Sequence, residues 1–62
     1  MKSIKEVLMK RDGIMEEEAE ELIEDARKDL QNRLLHPHKF GSPEEICADH
    51  FGLEPDYIME LI

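Results

Sequence analysis

At 62 residues the chain is one domain at most, and its single cysteine, Cys47, excludes an internal disulfide staple. Sixteen acidic against eight basic residues set a formal charge of −8, which repels nucleic acid phosphates and favours basic partners. No apolar run is long enough for a membrane span and no charged-then-apolar leader opens the chain, so the expectation is a cytoplasmic protein with a reduced thiol and no membrane contact.

The first helix is expected to begin at Ser3, whose hydroxyl can cap free backbone N–H groups, with Glu6 completing a capping-box pattern. Ile4, Val7, Leu8 and Arg11 then share a face, and Asp12-Gly13 ends the helix, with Gly13 free to turn left-handed. The second helix is the longest, from about Met15 to Leu35. Ala19, Leu22, Ile23, Ala26, Leu30 and Leu34 recur along it every three or four residues as one apolar stripe. Its start lacks a capping side chain, because Met15 stands where Ser, Thr or Asp would serve. His36-Pro37 ends it, since proline disfavours helical backbone in the residue before it.

Residues 37–41 are predicted to form a loop. Ser42-Pro43-Glu44-Glu45 then opens a third helix with a capping serine and proline at the first helical position, and that helix runs to Phe51. Gly52 closes it and Pro55 opens a short fourth helix with Tyr57, Ile58, Leu61 and Ile62 as its apolar residues. Periodic apolar residues argue against disorder despite the charge. The expected fold is a single all-α domain over residues 1–62, a compact bundle of three to four helices around the long second one, ending in a helix-turn-helix-like corner. Leu34, Leu35 and Phe40 add an apolar concentration that pattern alone assigns equally to core or to a dimer surface. So short a chain with no staple makes a homodimer a reasonable expectation.

Glu16, Glu17, Glu18, Glu20, Glu21, Glu24 and Asp25 crowd the start of the second helix. Negative charge there complements the helix dipole. Like-charged pairs one turn apart nevertheless cost about 0.2–0.5 kcal/mol each. Lys10 and Arg11 are placed to offset part of this, and Glu24–Lys28 and Asp29–Arg33 are favourable pairs further on. A solvated face is the plain reading. The functional one makes Glu16, Glu17, Glu20, Glu21 and Glu24 a surface for a basic protein partner.

His36, His38, Cys47 and His50 are the potential zinc ligands, with Cys47 and His50 on one helix face. Their spacing matches no common zinc framework, and Cys47 sits where a small buried residue is wanted, so no metal or cofactor is expected. Cys47 with His50 is also the one thiol–base pairing, but neither an oxyanion site nor a deep cleft accompanies it, and the expectation is a protein that is not an enzyme.

In residues 44–62, Cys47, Ala48, Phe51, Leu53, Ile58 and Leu61 have the spacing two short helices need to pack across a tight corner at Gly52. The stretch from Ile46 to Ile58 resembles the helix-turn-helix of small phage-repressor-like regulators, through a small residue, a glycine–aliphatic turn and Pro55-Asp56-Tyr57. That resemblance implies a DNA-binding transcriptional regulator. The positions that would meet bases are Glu54, Asp56, Tyr57, Met59 and Glu60, with no Arg, Lys, Asn or Gln among them. More broadly, Arg11-Asp12-Gly13, the acidic helix and Phe51–Tyr57 resemble short acidic proteins of bacteria and their mobile elements, which implies a bacterial or phage origin and no particular site. The leading expectation is a non-catalytic protein-interaction or regulatory module, with the DNA-binding regulator as alternative.

Overall fold

Every described element is helical in the structure, a computed structural model that describes residues 3–62. Helix α1 spans Ile4–Asp12, α2 spans Glu16–Leu35, α3 is a single turn over Pro37–Phe40, and α4 spans Ile46–Phe51 behind a 3-10 turn at Pro43–Glu45. A 3-10 helix over Pro55–Glu60 closes the chain. The long α2 sets the longest dimension of a body measuring 34 × 20 × 16 Å, as its 20 residues should at about 1.5 Å each.

Local chemistry accounts for most of the boundaries. Ser3 Oγ accepts a hydrogen bond from the Glu6 N–H at 3.2 Å, and Gly13 ends α1 in the left-handed region at φ 66°. Met15 caps α2 with no side-chain bond, as its chemistry requires. At the corner Gly52 is left-handed at φ 67°, its N–H donating to the Ala48 carbonyl at 3.0 Å. The corner is the helix-turn-helix-like feature expected from the sequence, and it packs onto the inner side of α2.

Three local expectations are corrected. Residues 37–41 are not a simple loop: Pro37, already fixed in φ, starts a helical turn in which the Lys39 and Phe40 N–H groups bond the His36 carbonyl. Ser42 does not cap with its side chain. The Glu45 N–H bonds the Ser42 carbonyl at 3.3 Å instead, so the third helix begins as a 3-10 turn. The final helix is 3-10 rather than α. A three-residue turn stacks Ile58 directly over Leu61, and that register lets Leu61 enter the core while Ile58 packs at its edge.

Ile4, Leu8, Ala19, Ala26, Leu30, Ile46, Cys47, Phe51 and Leu61 form one buried cluster. Ala19 and Ala26, small residues one heptad apart, are fully buried on this side of α2. The expected stripe of α2 is half right. Ala19, Ala26 and Leu30 are buried and Ile23 packs at the edge, but Leu22 and Leu34 face outward, and Arg33 takes the inward position instead. Ala48, the presumed small residue of the corner, is also exposed, and Cys47 beside it fills the core. Arg11 is exposed and paired with Asp12 at 3.1 Å.

The ends of the chain are tied by a contact that sequence patterns do not suggest. Glu60 Oε1 accepts a hydrogen bond from the Ile4 N–H at 3.0 Å. A carboxylate from the last helix thus caps the first turn of α1, where the dipole favours negative charge. Glu60 thus turns toward α1 instead of standing out from the last helix as the sequence pattern suggests.

Candidate functional site

The inward polar site is the network around Arg33. Its Nε and Nη2 reach both oxygens of Asp29, at 3.3 and 3.1 Å, one helical turn away. Nη1 donates to Asp49 Oδ2 at 2.9 Å and to the Ser42 carbonyl at 3.1 Å. His50 Nε2 lies 2.7 Å from Asp29 Oδ2. Arg33 is 8% exposed. Burial pulls its pKa down, but the bonds from Asp49 and Asp29 outweigh this and hold it above the ordinary value. The His50 bond, helped by Arg33, holds the Asp29 carboxyl below the usual carboxylate range. Since each guanidinium nitrogen has an acceptor or carboxylate partner, the cluster acts as a clamp fixing the Ser42 turn and α4 to α2.

The histidines and cysteine are not gathered into a metal centre. Among the described residues, no three His, Cys, Asp or Glu side chains are grouped to hold an ion. Cys47 is fully buried, and burial with the nearby Glu60 carboxylate pushes its thiol pKa up, so the thiolate that a metal or nucleophilic role requires is disfavoured. His50 is committed to Asp29, while His36 packs near Phe40 with ring centroids 6.3 Å apart.

On the opposite side, α2 presents an outer face. Glu17, Glu21, Glu24, Lys28, Gln31 and Leu35 follow one another at alternating steps of four and three residues, and all six are exposed. The five sequence-picked acids divide here. Glu16 and Glu20 are engaged by Lys5 of α1, at 3.1 and 3.6 Å, whereas Glu17 and Glu21 form no ion pair among the described residues. Those hydrogen bonds and charges raise the Lys5 pKa. The compensating cation is thus Lys5, not Lys10 or Arg11. Glu24 pairs with Arg27 at 3.7 Å rather than with Lys28.

Toward its C-terminal end the same face opens into an apolar groove of about 320 Å³, floored by Leu30, Leu34, Leu61 and Ile62 and edged by Glu24, Arg27, Lys28 and Gln31. A smaller hollow against Gln31, Leu34 and Leu35 continues it. Leu34, Leu35 and Phe40 are 61, 73 and 39% exposed, which places the apolar concentration at the end of the long helix on the surface rather than in the core, and Ile62, 84% exposed, adds to it. Sequence reasoning singled out the acids and the leucines separately. It missed that Glu24 belongs to both, and that the groove is completed by Leu61 and Ile62, thirty residues away in the chain.

The helical corner offers less. Glu54, Asp56 and Met59 are exposed, Tyr57 is half-buried, and Glu60 turns inward to α1. No helix among the described residues is long and apolar enough to cross a membrane. Compared with protein-family models, with curated proteins and with solved structures, the chain gives no significant match.

Proposed function

We propose that this chain is a non-catalytic interaction module that binds another protein through the outer face of α2, in a reducing compartment such as the cytoplasm. One observation carries the reading: an open apolar groove, rimmed by the Glu24–Arg27 pair and Lys28, lies on the same helix as the carboxylates Glu21 and Glu17, which form no ion pair among the described residues. Three large apolar side chains clustered in water mark a contact surface more often than a solvated one. Acids beside them favour a basic partner and speed its approach. Two copies of a chain at −8 repel one another, so a different protein is the better occupant than a second copy.

A photo-reactive residue placed at Leu35, with a control at Glu44 and a third variant at Asp56, tests this in cells. Discrete protein adducts from position 35 and none from 44 are expected. Adducts of nucleic acid from position 56, with none from 35, would replace the reading by the DNA-binding regulator that the helix-turn-helix resemblance implies.

A further inference from the structure

The shape and charge order of the outer face define its occupant more closely, resting on the protein-binding reading above. Residues at alternating steps of four and three along a helix form a seam nearly parallel to its axis, the geometry into which a second helix packs at a shallow crossing angle. On α2 that seam runs from Glu17 to Leu35, about 27 Å at 1.5 Å per residue, or some five turns. Its chemistry is graded. Glu17 and Glu21 occupy one end, Arg27 and Lys28 stand at the middle, and Leu34, Leu35 and Ile62 flank the groove at the other. Arg27 is already held by Glu24 and reaches the Glu60 carbonyl at 3.4 Å, which leaves Lys28 as the cation without an ion pair there among the described residues.

We propose that the occupant is an amphipathic helix of a partner protein, apolar at one end and basic at the other. Its apolar end seats over Leu34, Leu35 and Ile62 and its basic end lies along Glu21 and Glu17. The groove supplies desolvated contact area, and the acids fix the register by charge complementarity. A uniformly basic segment would leave the groove unfilled and meet Arg27 and Lys28 unfavourably. A uniformly apolar one would desolvate Glu17 and Glu21 without a counter-charge.

Two synthetic 19-residue helical peptides test this, each with leucines in one half of its seam and lysines in the other, in the two chain directions. A third peptide of the same composition, with both residue types spread evenly, is the control. Binding to isotope-labelled protein is followed by amide shifts, with a spin label on the leucine end. At least one graded peptide should bind roughly tenfold tighter than the control, with shifts along residues 17–35 and label broadening centred on Leu35 and Ile62. Glu17→Lys with Glu21→Lys should weaken it roughly tenfold, while Glu44→Lys with Glu45→Lys, an equal change in net charge on other exposed positions, should not. Equal binding of graded and even peptides, no binding at all, or equal effects of the two double variants would overturn the proposal. So would sedimentation showing an unliganded dimer that Leu35→Asp dissociates, which would make a second copy the occupant. Protein adducts from position 35 that persist through a failed peptide test would leave the broader reading standing without this inference.

Discussion

The two sides of α2 carry apolar residues in similar number and opposite fates. Inward, Ala19, Ala26 and Leu30 are buried, and an arginine is buried with them; outward, Leu34 and Leu35 stand in water on a helix that also carries a row of acids. Apolar periodicity therefore locates a helix better than it locates a core. Arg33 is inside because Asp29, Asp49 and the Ser42 carbonyl satisfy its donors, and its long aliphatic stem packs like a hydrophobe. The leucines stand outside where Leu61 and Ile62, among the described residues, pack beside that end of the helix and leave a groove.

That contrast is sharpest in stability. Leu30→Ala should cost about 3 kcal/mol by deleting core volume that cannot collapse, a large part of the few kcal/mol expected of so small a domain. Arg33→Ala should cost about 2 kcal/mol, less than for a fully buried charge cluster because Asp49 remains half exposed to water. Urea denaturation of both variants checks the order. A neutral Arg33→Ala would mean the clamp does not hold α4 to α2.

The next effect is pH-dependent. The folded state holds the Asp29 pKa below its unfolded value, so this carboxylate contributes stability above about pH 4 and loses it as pH falls through the lowered folded value. Asp29→Asn should cost about 1 kcal/mol at neutral pH and show a shallower acid limb than the parent protein. An identical limb in both would remove Asp29 from the account.

The parts of the fold written in neighbouring residues were legible. Ser3, Gly13, Pro37 and Gly52 mark ends that the structure keeps, because capping and left-handed backbone are chemistry within a turn. What joins distant residues was not legible. The Glu60 cap on Ile4 spans 56 positions, and the Arg33 contacts to Ser42 and Asp49 depend on how the corner lands on α2. The 3-10 form of the last helix depends likewise on the depth at which Leu61 meets the core. For the site, the acids and Leu34–Leu35 were visible as two features. Their union into one graded face needed the return of Leu61 and Ile62 to the far end of the helix.

The account's central claim is that the outer face of α2 serves a partner and not the fold. The most direct test is equilibrium denaturation of the double variant Leu34→Gln, Leu35→Gln beside the parent chain at several protein concentrations. The account predicts stability within about 0.5 kcal/mol of the parent at every concentration, as for exposed positions without a structural role. A loss approaching that of Leu30→Ala, or one that depends on concentration, would contradict it and assign those leucines to holding this protein together.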